Sequence, residues 1–244
     1  MNNYKLTIQY DGTDYAGWQI QKNALSVQEE IVKAAKIILG EDINLLGSGR
    51  TDSGVHALGQ VANFRTEKEI DPIRFYLSLN SVLPDAVSLV KIEKVDESFH
   101  ARFDAKSRSY IYLISKIKSP FYKRYSVFSP RFDKYDFEKL KKLSKLFLGE
   151  HDFTSFSRKE SDTENKICNV KSIGWRNQKH LVIFHIEADR FLHGMVRTIA
   201  GTLLYAVKEN KDENFINNIF ALKDREAAKE ALPSQGLFLF KVRY

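Results

Sequence analysis

Between residues 4 and 10 the chain alternates: Tyr4, Leu6, Ile8 and Tyr10 are apolar or aromatic, and Lys5, Thr7 and Gln9 between them are polar. A period of two predicts a half-buried strand, which Asp11-Gly12 ends. Ser26 followed three residues later by Glu29 has capping-box spacing. Val27, Ile31, Ala34 and Ile38 then recur at helical spacing up to Gly40. Asp71-Pro72 is expected to open a short helix with Ile73, Tyr76 and Leu77 inward. Residues 87–95 and 109–115, rich in Val, Ile and Tyr, read as strands. Asp136 is placed to cap a helix carrying Phe137, Leu140, Leu143 and Phe147, with Gly149 as its stop. Residues 167–175 and 180–188 read as a hairpin across 176–179. Met195, Ile199, Ala200, Leu203 and Val207 keep helical spacing, a last amphipathic helix is expected near 215–222, and 237–244 alternates as a closing strand. This order of strands and helices predicts an α/β (α+β) fold of two modules, residues 1–104 and residues 105–244.

Composition narrows the class. No apolar run approaches the roughly 20 residues needed to span a bilayer, and the alternation at residues 4–10 argues against a cleaved leader. The single cysteine, Cys168, excludes an internal disulfide and suits a reducing compartment, so a cytoplasmic protein without membrane contact is expected. Lys+Arg number 38 against 31 Asp+Glu, a net charge of +7. Excess positive charge fits either nucleic-acid binding or a basic surface without a partner. The densest basic cluster, Lys139-Leu140-Lys141-Lys142, lies inside a helical pattern, so polyanion binding would use a folded surface.

Candidate chemistry sits first in Gly47-Ser48-Gly49-Arg50-Thr51-Asp52-Ser53-Gly54. Glycines allow a tight turn and close approach of another chain. The loop suits a structural turn, in which Asp52 would satisfy backbone N–H groups, or a carboxylate presented for catalysis. A phosphate cradle is disfavoured because no Gly-Lys-Ser/Thr follows. Arg50 would help keep a nearby carboxylate ionised. A second segment, Ser98-Phe99-His100-Ala101-Arg102-Phe103-Asp104, leads into Ser107-Arg108-Ser109-Tyr110-Ile111-Tyr112. Aromatic and basic residues interleaved in this way suit stacking on an extruded base, or an ordinary sheet core, which is the expectation for Tyr112. Arg197 falls beside the apolar stripe of its helix, and a buried arginine needs a carboxylate partner. The histidines give no pair at ligand spacing: His180 and His185 would face opposite sides of a strand, and no metal site is expected.

These segments, taken in order, resemble the tRNA pseudouridine synthase A family over nearly the whole chain. The matching pieces are Tyr10-Asp11-Gly12, Gly17-Trp18-Gln19, Ser26-Val27-Gln28-Glu29, the run from Gly49 to Ala57 and Gly59-Gln60-Val61. They continue with Phe99-His100-Ala101-Arg102-Phe103, the Arg108/Tyr110/Tyr112 strand, His151-Asp152-Phe153-Thr154-Ser155-Phe156, Met195-Val196-Arg197 and Gly236-Leu237. Ser53 stands where many members have alanine, and the chain stops soon after Gly236-Leu237 without the tail some relatives carry. The resemblance implies two similar modules, each with a mainly antiparallel sheet flanked by helices, and an active cleft between them. It implies isomerisation of uridine to pseudouridine at nucleotides 38, 39 and 40 of the tRNA anticodon arm, by a homodimer that uses no cofactor. Asp52 corresponds to the nucleophile, Tyr110 to the tyrosine beside the base, Arg197 to the arginine paired with the nucleophile, and Leu237 to an apolar wall of the uracil pocket. Arg50 is expected to hold the flipped nucleotide out, with His100 and Arg102 as further RNA contacts. The alternatives are a catalytically silent tRNA-binding protein on the same fold and a metal-dependent nuclease or phosphatase.

Overall fold

A computed structural model describes residues 1–159 and 164–244. They form two compact units, Met1–Lys106 with Phe238–Tyr244, and Ser107–Leu237. In the first, the order is β1 (Asn2–Tyr10), α1 (Val27–Leu39), β2 (Leu46–Gly47), β3 (His56–Thr66), α2 (Pro72–Val82) and β4 (Val87–Val95), joined by the closing strand β10 (Leu237–Arg243). Its sheet runs β4-β1-β3-β10, with β2 also on β3; all pairings are antiparallel except β3 with β10. The last strand therefore pairs in the first unit, whereas sequence order alone groups it with residues 105–244. In the second unit β5 (Ser107–Ser115), β9 (Leu181–Ala188), β8 (Ile167–Asn177) and β7 (Gly149–Asp152) form an antiparallel order, with β6 (Val127–Phe128) parallel to β5. Helices α3 (Phe137–Ser144), α4 (Met195–Lys208) and α5 (Glu213–Leu222) accompany it.

Local chemistry explains α1. Ser26 is extended (φ −128°, ψ 153°) and its side chain accepts from the Glu29 N–H, while Gly40 closes the helix at φ 68°. Val27, Ile31, Ala34, Ala35 and Leu39 are the buried face. Ser26→Ala is expected to cost about 1 kcal/mol, measured as a lower urea midpoint at unchanged slope.

Two local expectations are corrected. In α2 the buried residues are Phe75 and Leu79, while Ile73 is 73% and Leu77 62% exposed and Tyr76 also faces out. Apolar residues are so frequent there that two stripes fit a helix, and the ring without a hydroxyl is the buried one: Phe75 packs on Phe64 with centroids 6.0 Å apart. Gly149 does not stop α3. That helix ends at Ser144, a short 3₁₀ turn carries Phe147 into the core, and Gly149 (φ 89°) opens β7. Strand β3, central to its sheet, shows no clean alternation: Gln60 and Asn63 are fully buried and His56 nearly so.

The run from His151 to Phe156 is structural. Asp152 Oδ1 accepts from the N–H and hydroxyl of Thr154, and Ser155 Oγ donates to Ile219 O at 2.6 Å. Phe153 and Phe156 then pack with Phe147 and Phe220. Cys168 is buried, and burial pushes its thiol up to about 12. No helix among the described residues is long and apolar enough to cross a membrane.

Candidate active site

Asp52 sits half-buried in the loop from β2 to β3, and its carbonyl accepts from the Val55 N–H at 3.2 Å. Gln60 accepts from Ser48 Oγ at 2.7 Å and donates to Gly49 O at 3.0 Å. Thr51 is fixed twice, its hydroxyl to Tyr10 Oη at 2.8 Å and its carbonyl by the Trp18 N–H at 3.2 Å. Tyr15 O accepts from Ser53 Oγ at 3.2 Å and from the Gly54 N–H at 3.3 Å. The 10–18 segment thus backs the turn on both sides of Asp52.

Glycines make this close approach possible. A Cβ on Gly17 would lie 2.4 Å from Thr51 O, and Gly17 has φ 110°. A Cβ on Gly12 would lie 2.0 Å from Val55 O. Gly47 is crowded by the Trp18 ring, whereas a Cβ on Gly49 meets nothing within 4 Å. Behind the loop, Gly12 N–H donates to Nδ1 of buried His56, whose ring stacks on Phe238 at 4.6 Å. Arg50 is exposed beside the turn.

His100 and Arg102 belong to another turn of the same unit. It is pinned by Asn63, whose Oδ1 accepts from the Ala101 N–H at 2.9 Å, and by Asn3, which donates to Phe99 O at 2.9 Å. Tyr244 Oη closes it on Ala101 O at 2.7 Å. On β3, Asn63 pairs with Leu46 and Ala62 with Gly47, where the stretch toward Asp52 begins.

In the second unit Tyr110 is 9% exposed and meets Phe191 edge-on at 5.1 Å. Arg108 Nη1 donates to Asp189 O at 2.9 Å. Tyr112 is fully buried and donates to Pro233 O at 2.7 Å, as a core tyrosine should. Burial raises its hydroxyl well above the ordinary tyrosine value, against the opposing Arg197 cation, so it stays protonated. Arg197 is half-buried, and its Nε donates to Leu232 O while its own carbonyl accepts from the Leu232 N–H at 3.1 Å. Leu232 O is thus one of the acceptors of this cation. Together with Gln235, which donates to Lys123 O and Ser126 O, these bonds fix the 232–236 segment that delivers Leu237, itself 5% exposed. Among the described residues no group of three or more His, Cys, Asp or Glu is arranged to hold a metal ion.

A family model described as tRNA pseudouridine synthase matches residues 6–104 and 143–244. The chain belongs to the tRNA pseudouridine synthase family. The tRNA pseudouridine synthase A of Brachyspira hyodysenteriae is 43% identical over 241 residues, covering 98% of this chain and 96% of that one. Those of a Thermoanaerobacter species and of Clostridium acetobutylicum are 40% and 41% identical, with full coverage of both chains.

For a synthase of this family, the linear motifs contain the loop and its supports but not how they fit together. Tyr10, Gly12, Gly17, Trp18, His56 and Gln60 all lie inside the matching motifs, yet what they contribute is packing and hydrogen bonding with one another, which a linear pattern does not carry.

Proposed function

We propose that this tRNA pseudouridine synthase isomerises uridines 38, 39 and 40 in the anticodon stem and loop, with Asp52 as nucleophile on a base flipped out of its stack. The observation that carries the reading is the Asp52 turn. Its neighbours are anchored by Tyr10, Tyr15 and Trp18, so the carboxylate is not required to satisfy the turn's own backbone at those points. In the reaction the N1–C1′ bond breaks, the C5–C1′ bond forms, C5 gives up its proton and N1 gains one. No electrons or groups come from outside, so no cofactor is needed.

The remaining roles follow the family resemblance. Tyr110 lies beside the base, Leu237 forms an apolar wall, Arg197 favours the ionised nucleophile, and Arg50 holds the nucleotide out at a cost of a few kcal/mol of unstacking. His100 and Arg102 are further RNA contacts. The same reading makes the protein a cytoplasmic homodimer. Incubation with unmodified tRNA transcripts in the presence of a chelator, followed by mapping of pseudouridine, tests it. Product at 38–40 is expected. Binding without product would instead support a silent tRNA-binding protein, and product elsewhere would refute the site assignment.

A further inference from the structure

The segment from Lys116 to Arg131 has no part in the chemistry above. It contains no acidic residue and carries basic and aromatic side chains together. Phe121 is 84% exposed, more than any other large apolar side chain among the described residues. Lys118, Lys123, Arg124 and Arg131 are exposed in the same segment. Lys116 is already committed, to Asp133 at 2.9 Å and Asn177 at 3.0 Å. Among the described residues no carboxylate pairs with Lys118, Lys123 or Arg131.

The backbone beneath these side chains is ordered. Tyr122 and Lys123 N–H both donate to Ser119 O at 3.2 Å, and Ser126 Oγ donates to Tyr122 O at 2.8 Å. Val127 and Phe128 pair with Ile114 and Ser115. Gln235, two residues before Leu237, donates to Lys123 O and Ser126 O, both at 3.2 Å. A ring held so far out of the core on a fixed backbone offers a face to a partner, and the uncompensated cations select a polyanion. A second copy of this +7 chain meeting the patch with its own would set like charges against each other. The segment also lies between the stretches matched by the family model, which end at 104 and resume at 143.

We propose that residues 116–131 form a second RNA-binding surface, in which Phe121 stacks on an unpaired base and Lys118, Lys123 and Arg131 bind phosphates away from the target uridine. The proposal rests on tRNA being the substrate. Gln235 joins this surface to the turn carrying Leu237, so RNA held here also steadies that wall.

Filter binding and steady-state kinetics on full-length tRNA transcript test it. Phe121→Ala is expected to raise Kd and KM about tenfold, the worth of one base stack, and Phe121→Trp to restore them. Lys118→Ala/Lys123→Ala/Arg131→Ala should lower the slope of log Kd against log salt by about 2, roughly 0.7 for each phosphate no longer neutralised. Unchanged affinity in Phe121→Ala, with wild type active, overturns the surface and leaves the function standing. A changed sedimentation coefficient with unchanged affinity makes the patch a protein interface and also overturns it. Phe121-dependent tRNA binding without pseudouridine from wild type keeps the surface and removes the enzymatic reading. No tRNA binding by wild type removes both.

Discussion

Asp52→Asn is expected to lower single-turnover pseudouridine formation by a factor on the order of 10⁴ or more while tRNA affinity stays within about twofold. Asparagine has the shape of aspartate but no negative charge, so the loss isolates the carboxylate as nucleophile. The turn should survive the change. Its neighbours are tied to Tyr10, Tyr15 and Trp18 through Thr51, Ser53 and Gly54. If Asp52 were a turn-forming residue, the same substitution would lower stability and leave the rate of the folded fraction intact. Rapid-quench kinetics beside urea unfolding separates the two, and substantial product from a folded Asp52→Asn protein would sink the assignment.

Gly17→Ala is expected to reduce kcat by about 100-fold, the usual penalty for moving a catalytic group by roughly 1 Å. The added Cβ would lie 2.4 Å from Thr51 O and 3.2 Å from the carbonyl carbon of Asp52, and alanine is disfavoured at φ 110°. Either the 10–18 segment or the Thr51-Asp52 peptide must shift, at a cost of about 1–3 kcal/mol in stability. Gly17 is not a candidate to touch substrate, so the effect should fall on kcat more than on KM. A variant with wild-type kcat and an unchanged urea midpoint would show that this close approach does not position Asp52.

The site was legible where chemistry is local. Gly49-Arg50-Thr51-Asp52-Ser53-Gly54 declares a carboxylate on a tight turn, and Ser26, Asp71 and Asp136 declare helix starts that the structure confirms with side-chain caps. It was illegible where a residue works across long stretches of chain. Nothing local in the sequence shows what Gln60, Asn63 and His56 hold. Buried in β3, each anchors a different loop: the Asp52 loop, the Ala101 turn and Gly12. Burial of such groups is tolerable only when they are hydrogen-bonded, and the partners lie 10 or more residues away in sequence.

Spacing, caps and motifs act over a few residues, so the strongly patterned elements, the family and the position of the candidate nucleophile all follow from the linear chain. The folded molecule was needed to show that β10 pairs with β3, that α2 buries Phe75 and Leu79, and that Arg197 engages Leu232 O. It was needed, too, to show that the turn around Asp52 is held from behind by the 10–18 segment. Those outcomes depend on which distant surfaces bury most area and satisfy the most buried polar groups together, and no short stretch of chain contains that information.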